Sequence, residues 1–155
     1  MNAILKFPLF KGVELHPEAV KLLGELLKPQ TFQPRDLIID EAGKDPRMFF
    51  LLKGQVTIQK TDEKGETVVL GKADGAQNPC FGESILLGKF SKSASVVAQS
   101  PCQCLTLSAQ DFQTFLERYP FVVANVYRTL ASQLFDRLSK ANKDLLIQGT
   151  LNRIV

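Results

Sequence analysis

The 155 residues are enough for one domain, and a chain of this length buries about two-thirds of its unfolded surface without disulfides or a structural metal. Hydrophobic residues make up 45% and charged residues 23%, which suits a folded globular protein and excludes a disordered one. The net charge of +3 is too small to point to nucleic acid, and no apolar run approaches the ~20 residues of a membrane span.

The opening from Met1 to Phe10 lacks the basic stretch, apolar stretch and small-residue cleavage site of a secretory signal. Three cysteines, an odd number, fit a reducing cytoplasm better than a disulfide framework. The inventory also excludes chemistry. His16 is the only histidine, and the proline after it makes it a solvent-exposed helix-entry residue rather than a metal ligand or catalytic base. Neither a metal nor a cofactor is expected, and the chain is not expected to be an enzyme.

In chain order, His16-Pro17-Glu18 opens a helix with proline just inside its start. Val20, Leu22, Leu23, Leu26 and Leu27 recur at helical spacing until Lys28-Pro29 stops the run. From Thr31 to Leu107 the pattern changes to short apolar runs between turn signals. Strands are predicted at Leu37–Ile39, Met48–Leu52, Val56–Ile58, Val68–Leu70, Ala94–Ala98 and Cys104–Leu107. Many short strands with no helices between them indicate a sandwich, jelly roll or closed barrel. Cys102 and Cys104 alternate along a strand and fall on one face, as a pair of small buried apolar residues.

Ser108 then caps a short helix with Phe112, Phe115 and Leu116 on its apolar face. Past Tyr119-Pro120, a longer helix carries Val123, Val126, Leu130, Leu134, Leu138, Ala141 and Leu145 at spacings of three and four. Its seam either packs within the chain throughout or meets the same seam of a second copy. A small β-domain cannot hide all of it, so a homodimer through the helix over 121–146 is expected.

The segment from Phe81 to Val97 has the parts of an anion cradle. Gly82 permits close backbone approach, and Ser84 to Leu87 can form one helical turn whose free N–H groups face an anion. Glu83 offers an acceptor for a sugar hydroxyl, Lys92 a positive charge and Ser93 a hydroxyl. A glycine turn followed by a basic strand end is common, so the pattern alone is only moderately specific.

Phe81-Gly82-Glu83, Leu86 and Lys92-Ser93-Ala94-Ser95-Val96 resemble the phosphate-binding cassette of cyclic nucleotide-binding domains. These are the domains of catabolite-activator-type regulators and protein kinase A regulatory subunits. Leu9-Phe10-Lys11-Gly12, Asp36-Leu37-Ile38, Glu41-x-Gly43, Met48 to Val56, and Leu105-x-Leu107 with Phe112 extend the likeness over nearly the whole chain. The resemblance implies a mainly β fold with flanking helices, a double-stranded β-helix or jelly roll. It implies a single domain over 1–155, with an N-terminal helical segment over 1–30, a β-roll over 31–107 and C-terminal helices over 108–147.

By the same resemblance, Glu83 binds the ribose 2′-hydroxyl, while backbone groups from Gly82 through Ser84 to Ile85, with Ser93 and Ala94, hold the cyclic phosphate beside Lys92. The long helix lies over the base, with Thr129 or Ser132 as contacts. The implied function is a non-catalytic sensor of cAMP, cGMP or another small anion, signalling through the C-terminal helix. The alternative is a degenerate member that binds no nucleotide and serves as a dimerisation or docking domain.

Two departures from the family pattern bear on that choice. Lys92 stands where the cassette has arginine, replacing a planar fork with a compact, strongly hydrated charge. Losing one charge-assisted bond costs about 1.5–3 kcal/mol, a weakening of roughly ten- to a hundredfold. Asp74 to Cys80 replaces a short turn with what looks like a small insertion, either a reshaped pocket rim or a solvent loop. After the long helix only Gln148 to Val155 remain, too few for a helix-turn-helix, so direct DNA binding is not expected of this stretch.

Overall fold

Met48-Phe49-Phe50-Leu51 is an apolar run without polar alternation, the pattern of a strand covered on both faces. A computed structural model describes residues 3–154; Met1, Asn2 and Val155, at the ends of the expected domain, lie outside the described residues. Three 3-10 turns (Ala3–Lys6, Pro8–Phe10, Val13–Leu15) precede α1 (Pro17–Leu26). The strands follow as β1 (Lys28–Phe32), β2 (Leu37–Ile39), β3 (Arg47–Lys53), β4 (Gln55–Thr61), β5 (Thr67–Asp74), β6 (Cys80–Phe81), β7 (Ser95–Ala98) and β8 (Cys102–Ser108). The chain then forms α2 (Ala109–Arg118) and α3 (Pro120–Ile154).

The strands form two antiparallel sheets in the orders β1-β8-β3-β6 and β2-β7-β4-β5. This is the expected jelly roll with flanking helices. Met48 to Leu51 are all completely buried, and alternate residues enter different cores. Phe49 and Leu51 pack between the sheets with Phe32, Ile39, Val56 and Val96. Met48 and Phe50 face the helical layer, with Phe7, Phe10, Leu107, Phe115 and Val123. Phe50 anchors that second core: its ring lies 5.1 Å from Phe7 at 78° and 5.5 Å from Phe10.

Cys102 and Cys104 are buried on the inner face, as their spacing predicts, and burial pushes the Cys104 thiol up to about 12. His16 is exposed at the start of α1. Ser108 Oγ accepts the Asp111 N–H at 3.0 Å and caps α2.

Three elements differ from expectation. Lys28-Pro29 ends α1 and also begins β1, which is an edge strand paired only with β8, where a proline's missing donor costs little. The two-residue β6 is too short for any periodic signal. Third, the segment before His16 adds three turns that bury Ile4, Phe7, Leu9, Phe10 and Val13.

The seam of α3 divides. Val123, Val126 and Leu130 are buried against the domain, whereas Leu134, Leu138 and Leu145 are 42%, 58% and 69% exposed. The domain covers only the first part of the helix, as its size predicts. No helix among the described residues is long and apolar enough to cross a membrane.

Phe50→Ala removes the ring on which the N-terminal turns pack. It is expected to cost about 3–5 kcal/mol, read as a lower urea midpoint with an unchanged slope.

Candidate ligand-binding site

The cassette is hung on β3. β6 pairs Phe81 with Phe49 and Cys80 with Phe50, and the Leu51 N–H donates to the Pro79 carbonyl at 3.0 Å. Gly82 follows with φ of +85°, and a Cβ there would lie 2.9 Å from the Arg47 carbonyl oxygen. Only glycine meets both demands, the left-handed backbone and the close approach. From it the chain enters a 3-10 turn, Glu83–Leu87, which begins one residue before the expected Ser84 to Leu87. The Ser84 hydroxyl donates to the Ser91 carbonyl at 3.1 Å and closes the loop between them.

Glu83 is mostly shielded, its side chain 17% exposed. Its Oε1 accepts from Arg137 of α3 at 3.3 Å and from the Cys80 thiol at 3.8 Å. Burial, reinforced by the Glu83 charge, pushes the Cys80 thiol far up and keeps it neutral. Lys92 stands in the opposite electrostatic situation. Its Nζ is shielded from solvent and makes no hydrogen bond to the described residues. Burial lowers its pKa, and the charges of Asp45 and Glu83 only partly oppose that.

These groups line one cavity of about 580 Å³, within the range of small-molecule sites. Ile39, Ile58, Ala73 and Val96 supply apolar wall from the second sheet. Gly82, Glu83, Ser84, Lys92, Ser93 and Ala94 supply the polar wall. Of the expected site residues, Ile85 alone does not line the cavity; its side chain is buried, and its N–H donates to the Gly82 carbonyl at 3.3 Å. Ser93 is exposed, and its carbonyl accepts from Lys60 Nζ at 3.1 Å.

Sequence reasoning missed the roof. Gln133 and Arg137 of α3 line the cavity, while Thr129 and Ser132 do not. The stretch from Asp74 to Cys80 is also a built part of the site, not a solvent loop. Its 3-10 turn, Gly75–Gln77, carries a capping box, with the Asp74 carboxylate accepting the Ala76 N–H at 2.9 Å. Gly75 sits so close to β3 that a Cβ would fall 2.7 Å from the Leu52 carbonyl oxygen. Asn78 and Pro79 thereby reach the cavity rim.

The model of the cyclic nucleotide-binding domain matches residues 29–119, more than half of the chain, and the protein belongs to that family. Membership makes it a non-catalytic binding domain. Human potassium/sodium hyperpolarization-activated cyclic nucleotide-gated channel 4 is 34% identical over 151 residues, 96% of this chain and 12% of the channel. Human channel 2 of the same name is 32% identical over 151 residues, again 96% of this chain and 16% of the channel. The chain therefore spans only a small part of the curated relatives it matches. Among solved structures, the Thermus thermophilus catabolite activator protein has a TM-score of 0.75 at 27% identity, over 92% of this chain and 63% of its own. A cyclic nucleotide-binding domain from Methylobacillus flagellatus KT shares the fold, with a TM-score of 0.73 at 20% identity, over 84% of this chain and 72% of its own.

Lys92 yields a pH prediction. Its folded-state pKa lies below the ordinary 10.5, so the folded protein bears the cost of a desolvated charge at neutral pH. That cost fades as pH rises through the lowered value towards 10.5, because the folded state loses the proton before the unfolded chain does. Lys92→Met is expected to raise the Tm of the ligand-free protein at pH 7, with a gain that shrinks at alkaline pH. An unchanged or lower Tm at pH 7 contradicts the unpaired burial.

Proposed function

We propose that the cavity binds a cyclic nucleotide, cAMP or cGMP, and that α3 reports its arrival. The observation that carries this reading is Lys92: a shielded, unpartnered cation on the wall of a ligand-sized cavity that also holds an anchored carboxylate. A cation there favours an anionic group, and the neighbouring carboxylate favours a hydroxyl donor beside it. A cyclic phosphate fused to a ribose presents both.

In this reading Glu83 accepts from the ribose 2′-hydroxyl. Backbone groups from Gly82 to Ile85, with Ser93 and Ala94, hold the phosphate, and Lys92 supplies its counter-charge. No cofactor takes part. Family membership and the channel relatives support the ligand class.

The signal follows from two ties between α3 and the cassette. Tyr127 Oη donates to the Leu86 carbonyl at 2.7 Å, and Arg137 pairs with Glu83 at 3.3 Å. A ligand that engages Glu83 changes the partner of Arg137 and so biases the position of the helix, a population shift between two arrangements. The exposed Leu134, Leu138 and Leu145 support packing of this half of α3 against a second copy. Three free cysteines support a cytoplasmic setting.

Calorimetric titration with cAMP and cGMP tests the site. Wild type is expected to bind, Glu83→Ala to lose at least tenfold in affinity, and Lys92→Arg to gain about tenfold through the restored guanidinium fork. Absence of binding by both wild type and Lys92→Arg overturns the nucleotide reading and leaves a docking domain.

A further inference from the structure

We infer that Cys80 is a positioning residue for Glu83: its thiol holds one carboxylate oxygen, so that the other is presented to the ribose hydroxyl. This rests on the nucleotide reading above and deepens it at the same cavity. The ligand itself is called for by the shielded, unpartnered Lys92 Nζ on that cavity's wall, and the cysteine adds how the sugar is met.

The observation is a convergence. Both hydrogen bonds to the Glu83 carboxylate from the described residues fall on Oε1, one from the Cys80 thiol at 3.8 Å and one from Arg137 at 3.3 Å. Each carboxylate oxygen has about two acceptor positions. Oε1 is therefore filled by its two donors, and Oε2 is left for a third. Cys80, Glu83 and Arg137 all line the cavity.

The two donors are not equivalent. Arg137 projects from the part of α3 beyond Leu130, and its side chain is 61% exposed. An ion pair so open to solvent is screened and holds its geometry weakly. Cys80 belongs to β6, where it pairs with Phe50 of β3, and Gly82 between it and Glu83 is packed against the β3 backbone. The thiol thus keeps its place relative to Glu83 when the helix moves.

The thiol also keeps its proton. Burial, with the Glu83 charge beside it, holds Cys80 neutral, so it remains a donor at physiological pH. A thiol is a weak donor, but its acceptor here is a carboxylate in a shielded site, where hydrogen bonds are strengthened. When ligand binding changes the partner of Arg137, Cys80 still orients the carboxylate, and recognition of the sugar does not depend on where α3 stands.

The test is titration of wild type, Cys80→Val and Cys80→Ala with cAMP and 2′-deoxy-cAMP, with Tm measured on each protein. Valine keeps the bulk of the side chain and suits a strand, while both substitutions remove the donor. Wild type is expected to favour cAMP by about tenfold, and both variants to show a preference reduced by about threefold through weaker cAMP binding alone. A purely structural role for Cys80 weakens both nucleotides equally and leaves that ratio unchanged. An unmoved ratio in either variant, or a wild type that binds both nucleotides equally, overturns the inference while the nucleotide site stands. Absence of binding of either nucleotide by wild type overturns the underlying reading as well.

Discussion

The structure depends on one strand being buried on both faces. Because β3 lies between the second sheet and the helical layer, its alternate side chains are shared between two cores, Phe49 and Leu51 in one, Met48 and Phe50 in the other. Such a strand is held on both sides and cannot slip register without exposing one core or the other. The site uses that rigidity. β6 pairs with β3, Gly82 lies against its backbone at Arg47 and Met48, and Gly75 lies against it at Leu52 and Lys53. Both glycines are needed for contact distance, so the start of the cassette and the rim loop are positioned by main chain rather than by flexible side chains.

On this frame the charges are left unbalanced. Glu83 has a partner on α3, whereas Lys92, shielded from water, has none. A buried unpaired cation destabilises the ligand-free state, and an anion that pairs with it recovers that cost on binding. The lysine also explains how such a site persists: a buried ammonium can give up its proton far more readily than a guanidinium. In the proposed function, the consequence is a weaker hold on the phosphate. Because the carboxylate partner sits on α3, the charge balance of the cavity and the seating of the helix are one problem. Beyond Leu130 the helix has no core beneath it, so few contacts oppose a change in its position.

The parts of the fold legible in the sequence were those with local signals. The Met48–Leu51 run marks a doubly covered strand, the Ser108 cap marks the start of α2, and Phe81-Gly82-Glu83 marks the cassette because its glycine is demanded by backbone geometry alone. What escaped was non-local or ambiguous. Pro29 carries the signal of a helix stop and equally that of an edge strand. Cys80–Phe81 is a strand only because β3 offers a free edge to it. The roof could not be found by spacing, since Arg137 meets Glu83 across 54 residues of sequence and its facing is fixed by how α3 docks. The apolar seam gave the helix but not its rotation, which is why Gln133 and Arg137, rather than Thr129 and Ser132, reach the cavity.

In the proposed function, occupancy of the cassette is coupled to α3 through the Glu83–Arg137 contact. Hydrogen exchange of the wild-type protein, with and without saturating cAMP, tests it most directly. The account predicts changed protection in the cassette and along α3 from Tyr127 to beyond Arg137, including the part with no core beneath it. Protection confined to the cassette, with the exchange of α3 unaltered in the bound protein, would contradict it.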